Sequence, residues 1–224
     1  WPFFAAMAAS LFLFFSVQSL SPTLPLYITA IGGTPADNGL ATWAFALAAL
    51  LTRAPAGLLT DRWGRKPILV LGALLFGGGP PLYALAFTIP LLLVVRVVHG
   101  VGMAFFATAY QAFVADMLPP GRYGEGLGLA NVASVATMIV APLVGEWAAQ
   151  ALGIRMLFGI LGVLGGAGAL VTWVLPGRRH VESRSARPEQ TVRTGLGQAL
   201  RQRGVRTGAI GMMLLGMSFG AFIG

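Results

Sequence analysis

"GLLTDRWGRKPILVLG", residues 57–72, decides how the rest of the chain is read. It sets Asp61, Arg62, Arg65 and Lys66, followed by the helix-breaking Pro67, between two strongly apolar runs. Four charges confined to so short a stretch suit a connection that emerges from a bilayer between two spanning helices. The composition agrees. Of 224 residues, 56% are hydrophobic and only 10% charged, and mean hydropathy is +0.78. A soluble domain carries about a quarter charged residues, so most of this surface is expected to face lipid. With no cysteine there is no disulfide framework and no thiolate metal site, and the redox compartment stays open.

A spanning helix needs about 20 mostly apolar residues. Working outward from 57–72, six such runs are found, at 3–28, 40–60, 67–87, 89–115, 126–149 and 154–175, with a partial seventh at 207–224. The runs are continuous rather than alternating, which favours helices over a barrel, because every backbone group in lipid must be paired internally. Turn chemistry marks the connections "GGTPADNG" (32–39), "PPGRYG" (119–124) and Gly153. "GGGPP" (77–81) removes backbone donors and is expected to kink or loosen the third span. The polar stretch 176–206 reads as a flexible cytoplasmic linker with a short surface helix near 196–203. The expected organisation is therefore a six-helix bundle at 1–175, a central loop at 176–206 and a truncated helix at 207–224. The first apolar run is too long for a secretory signal. Apolar sequence reaches both ends, so the chain reads as a fragment.

The net charge of +8 could by itself suggest nucleic acid. The basic residues instead fall on separate connections. Arg62, Arg65, Lys66, Arg122, Arg178, Arg179, Arg184, Arg187, Arg193, Arg201, Arg203 and Arg206 share one side if the spans alternate, and Arg155 is alone on the other. The positive-inside rule places those twelve, and the N-terminus, in the cytoplasm. No nucleic-acid partner is expected.

Position by position, 57–72 resembles the signature loop of the major facilitator superfamily, roughly G-x-L-x-D-R-x-G-R-K/R-x-x-L, through Gly57, Leu59, Asp61, Arg62, Gly64, Arg65, Lys66 and Leu69. On physical grounds Gly57 would permit close helix approach, Gly64 a tight turn, and Asp61 a charge set against a helix N-terminus or an Arg. "LVVRVVHGVGMA" (93–104) is similar to the family's fourth-helix motif through Arg96, Gly100 and Gly102, with His99 where Gln is common. "ADMLPPGRYGEGLGL" (115–129) resembles the next cytoplasmic loop, with Asp116 and Arg122. Asp116 is placed to accept an ion pair from Arg65. "APLVGEW" (141–147) is similar to the fifth-helix motif of the family's exporters through Pro142 and Gly145, with Ala141 replacing a Gly.

The resemblance implies an all-α integral membrane protein: the N-terminal six-helix bundle of a two-bundle transporter, plus the start of helix seven. That arrangement is a known property of the superfamily and not a deduction from these residues. The chain looks most like the twelve-helix drug/proton antiporters. The implied signature loop latches two halves together on the cytoplasmic side. The implied partners are a small-molecule substrate, protons, the lipid bilayer and a C-terminal six-helix half. No cofactor and no metal are expected.

Charges at membrane depth default to functional candidates, and Arg53, Arg96 and Glu146 qualify. Arg96 and Glu146 lie at similar depths, so Glu146 is read as the protonatable group and Arg96 as the residue that tunes it; the alternative has Arg96 on backbone carbonyls and Glu146 at the interface. Arg53 is assigned a helix contact or the cytoplasmic end of the pathway. Gln18, Tyr27, His99, Gln111, Asn131 and Met138 are candidates to line a central cavity, each with ordinary packing as the plainer alternative. No G-x-S-x-G, H-E-x-x-H or phosphate-cradling loop is present, so an enzyme is not expected. The function that follows is proton-coupled efflux of a small amphipathic molecule. An uptake symporter for a sugar or carboxylate is the alternative, and a non-transporting scaffold or receptor the reading from another class.

Overall fold

The structure is a computed structural model. It describes residues 1–119 and 121–177, with the backbone alone at Ala133. The expected central loop and seventh helix lie outside the described residues. Those residues fold into eight helical segments: α1 Pro2–Gln18, α2 Leu24–Ala30, α3 Pro35–Trp63, α4 Arg65–Gly77, α5 Gly79–Ala84, α6 Ile89–Ala115, α7 Tyr123–Leu152 and α8 Ile154–Val174. With α4 and α5 taken together, five of these are long and apolar enough to cross a membrane, and α1 is a shorter apolar helix.

The six expected spans map onto these segments with instructive differences. The first span is broken between α1 and α2 by Pro22 and Pro25, and the buried Ser19 and Thr23 hydroxyls there bond backward to the carbonyls of Phe15 (2.9 Å) and Ser19 (3.4 Å). The third span breaks at Gly78, within the "GGGPP" stretch. Pro80 and Pro81 cannot supply the amide hydrogens that the carbonyls of Phe76 and Gly77 would accept in a continued helix. The second span starts at Pro35 and not at residue 40. The Thr34 amide donates to Asp37 Oδ2 (2.7 Å) and the Asp37 amide to Thr34 Oγ1 (3.4 Å), a capping box that converts most of the expected turn into helix. The connection that opened the sequence reading shrinks in the same way. Only Gly64, at φ +95°, separates α3 from α4, so the charges sit on helix ends. A left-handed joint of this kind suits Gly.

Packing centres on α6, which lies most extensively against α3 and α4. Glycines set the helix spacing. A methyl on Gly72 of α4 would come 2.7 Å from Phe106 Cα of α6, and one on Gly77 would come 2.6 Å from the Gly165 carbonyl of α8. Small residues allow such backbone contact where lipid supplies no hydrophobic drive. Gly57 does not follow suit. Among the described residues a methyl there would meet only Thr108 Cγ2, at 4.0 Å, so none of them makes the close approach expected at this position. Helices α3 and α7 are the least buried of the long helices.

Connections collect at two ends. Arg65 contacts Asp116, Gly177 lies against Lys66, and Phe3 shares a pocket with Leu118 and Arg122. The chain start, the α3–α4 joint, the α6–α7 connection and the exit from α8 are therefore at one end. Gly33 packs on Ile28 and Ile89, and Tyr27 donates to the Ala86 carbonyl, at the other.

Candidate functional site

The first candidate region is the charged end. Arg65 is the first residue of α4. Its Nη1 donates to Asp61 Oδ1 at 2.8 Å, its Nε to Asp116 Oδ2 at 3.2 Å, and Nη1 also approaches the Thr60 carbonyl at 3.5 Å. One guanidinium thus ties the end of α3, the start of α4 and the end of α6. Arg62 points to solvent, and Lys66 is half-buried. Arg122 makes a separate, local pair, donating to both Glu125 oxygens at 2.8 and 2.7 Å across the first turn of α7. That carboxylate holds the guanidinium's proton more tightly still and raises its pKa. Ion pairs this exposed add little net stability, so the Arg65 contacts suit a reversible tie better than a structural brace.

The second region is a half-open cavity of about 370 Å³, lined by Phe14, Val17 and Gln18 of α1, Phe45 of α3, Phe76 of α4, Met103 of α6, and Asn131, Ser134, Val135 and Met138 of α7, with Asn131, Val135 and Met138 exposed. Its walls are aromatic and thioether surface with three uncharged polar groups, a composition that holds flat apolar bodies and orients them by a few hydrogen bonds. Beside Ser134, the Ser10 and Ser134 hydroxyls lie 3.1 Å apart and join α1 to α7.

Of the residues singled out as lining, Gln18, Asn131 and Met138 meet here, and the other three do not. Tyr27 is core, with its hydroxyl on the Ala86 carbonyl (3.3 Å) and its ring edge-on to Phe158. Gln111 is exposed. His99 is fully buried behind the wall, its Nδ1 2.9 Å from the Tyr83 hydroxyl and its ring between Phe45 and Phe76. Sequence reasoning missed the aromatic wall. It also missed Ser134 and Val135, although steps of three and four residues from Asn131 toward Met138 pass through both.

Arg96 and Glu146 are not brought together. The Arg96 guanidinium lies over the Phe45 ring, 5.2 Å from its centroid, and 5.8 Å from that of Tyr83. Glu146 is exposed on α7, where Gln150 Nε2 donates to its Oε1 at 3.4 Å, and no ion pair among the described residues joins it to Arg96. The reason is rotational. Gly145 is buried against the Ser19 backbone of α1, and the next residue on a helix turns by about 100° away from that contact. Pro142 is half-buried within α7, and Ala141 is fully buried, so the fifth-helix motif forms the close crossing of α7 on α1. Arg53 is exposed on α3.

A family model described as Major Facilitator Superfamily matches residues 6–224. The chain belongs to the major facilitator superfamily. Its relatives include an uncharacterized transporter of this type from Methanocaldococcus jannaschii, 30% identical over 158 residues, covering 70% of this chain and 41% of the relative. Another is the quinolone resistance protein NorA of Staphylococcus aureus, 28% identical over 153 residues, covering 68% of this chain and 39% of that protein. The chain thus spans about four tenths of the length of the curated relatives it matches. Among solved structures, the human organic anion transporter MFSD10 (TETRAN) superposes with a TM-score of 0.65 at 18% identity, over 79% of this chain and 47% of that one. A peptide transporter of the POT type in complex with alafosfalin gives the same TM-score and identity over 99% and 45%. Those likenesses show the fold. The protein is a multi-pass membrane protein of a transporter family.

Proposed function

We propose that the protein is a secondary active transporter that works by alternating access and exports a small amphipathic molecule in exchange for protons. The observation that carries this reading is the cavity among α1, α3, α4, α6 and α7, walled by Phe14, Phe45, Phe76, Met103 and Met138. A sugar site needs a denser set of hydrogen-bonding groups than Gln18, Asn131 and Ser134, which disfavours sugar uptake. The similarity to a quinolone resistance protein and the Pro142–Gly145 motif support the outward direction.

The second bundle is assigned to the sparsely buried sides of α3 and α7, where Leu50, Leu51, Leu58, Ile139 and Leu143 are exposed. The end carrying Arg62, Arg65, Lys66 and Arg122 is assigned to the cytoplasm of the cell (inner) membrane. There Arg65 would serve as the latch between alternating states. Glu146, an acid within a spanning helix, is assigned the coupling proton without direct help from Arg96.

The test is dye efflux by the full-length protein in proteoliposomes with an imposed pH gradient. Efflux of a neutral aromatic dye that stops when a protonophore collapses the gradient is the expected result. Glu146→Gln should abolish the pH-driven component, and full retention would sink the assignment of Glu146. Efflux insensitive to the gradient in the native protein would overturn proton coupling itself.

A further inference from the structure

We infer that Arg96 is an anion subsite behind the central cavity, screened from it by the ring of Phe45, and that the cargo is an aromatic molecule bearing a carboxylate. The inference rests on the proposed reading of the cavity as the cargo site and specifies its substrate.

Arg96 is the eighth residue of α6, well inside a membrane-length apolar helix. A guanidinium there calls for an anion. Five acids fall among the described residues: Asp37 is in the Thr34 capping box, Asp61 and Asp116 hold Arg65, Glu125 holds Arg122, and Glu146 is exposed on α7. None makes an ion pair with Arg96. The faces of Phe45 and Tyr83 and the neutral Tyr83 hydroxyl supply partial compensation, and none of them brings a negative charge. The Arg96 Nε is buried with no hydrogen-bond acceptor. Neighbouring His99 brings no negative charge and is taken up by the Tyr83 hydroxyl.

The cation is one ring away from the cavity. Phe45 lines the cavity, and the guanidinium rests 5.2 Å from the centroid of that same ring. Rotation of that one phenyl group would uncover the guanidinium to the cavity. A ligand whose aromatic body lies against Phe14, Phe76 and Met103 could then present a carboxylate to Arg96, making the bidentate contact for which a guanidinium is shaped. Gln18, Asn131 and Ser134 are left for the ligand's neutral polar groups.

The experiment compares two probes of nearly one shape, 2-naphthoate and 2-naphthamide, binding to the purified full-length protein at pH 7. The native protein should bind naphthoate at least about tenfold more tightly, as expected for a hydrogen bond to a charged group. Arg96→Gln should bring the two affinities together by loss of naphthoate binding, and Arg96→Lys should restore part of the preference. Phe45→Ala, which opens the screen, should widen it. Equal affinities in the native protein, or a preference unchanged in Arg96→Gln, overturn the subsite. Should Arg96→Gln fail to fold, an unchanged preference in Phe45→Ala overturns it instead. If neither probe binds the native protein, the reading of the cavity as a site for aromatic cargo is what fails, and the subsite falls with it.

Discussion

The polar side chains of this bundle do two different kinds of work. Ser16, fully buried on α1, donates to the Leu161 carbonyl of α8 at 2.8 Å, and Tyr110 of α6 donates to the Ala130 carbonyl of α7 at 3.3 Å. Such contacts stitch helices together. Ser16→Ala should therefore lower the thermal midpoint of the full-length protein in detergent, by an amount equivalent to about 1 kcal/mol, and leave cargo selectivity alone. Arg65 belongs to the other kind. Its contacts with Asp61 and Asp116 are exposed and screened. Arg65→Gln should shift the thermal midpoint little and alter the transport rate markedly; a large loss of stability with a normal rate would show that it braces the fold. The Arg65–Asp116 contact could be anticipated from the sequence, because both residues stand where the resemblance puts neighbouring loops. The separation of Arg96 from Glu146 could not. Similar depth along two helices says nothing about the direction in which each faces, and that direction is set by the Gly145–Ser19 crossing.

At the scale of the helix, small residues set the spacing and the prolines set the breaks. Gly77→Ala places a methyl 2.6 Å from the Gly165 carbonyl and 2.8 Å from Leu13 Cδ2, so α4 and α8 must move apart. A loss of roughly 1–3 kcal/mol is expected in thermal or denaturant unfolding. Gly166→Ala on the adjacent position of α8 meets nothing within 4 Å and should be neutral or slightly stabilising; equal losses at both positions would refute the crossing. Apolar run length made the spans legible, and the donors lost at Pro80 and Pro81 made the break in the third span legible. The early start of α3 was also written in the chain, as Thr34 and Asp37 at capping-box spacing, but Gly, Pro and Asn around them looked more like a turn. The cavity wall was hidden for a deeper reason. Phe14, Phe45 and Phe76 are apolar residues in apolar helices, and nothing local separates a phenyl ring facing a void from one facing lipid.

For the molecule as a whole, the strongest expectation concerns sidedness. These 224 residues contain no cysteine, so single cysteines report cleanly on the chain. One introduced at Gly121, beside the Arg65 end, should react with a membrane-impermeant maleimide only when the cytoplasmic face is open to the reagent. One at Gly32, at the opposite end, should react in intact cells. The reverse pattern would invert the topology assigned from charge. Both glycines lie in connections, and a side chain at Gly32 or Gly121 would meet nothing within 4 Å. The backbone φ is positive at each position, so each cysteine variant carries some strain.

Helix α3 runs for 29 residues, with Pro55 inside it, to the single-residue joint at Gly64. At 1.5 Å per residue it is a rod of about 44 Å, and a 10° tilt about its centre sweeps each tip through roughly 4 Å. Phe45, well inside the rod, would travel less than the tip. Arg65, tied to the tip through Gly64, would be carried away from Asp116 of α6, which now accepts from its Nε at 3.2 Å. The geometry is that of a lever whose far end moves further than the aromatic wall. A modest tilt would then part the charges at the rim while the aromatic wall kept its grip.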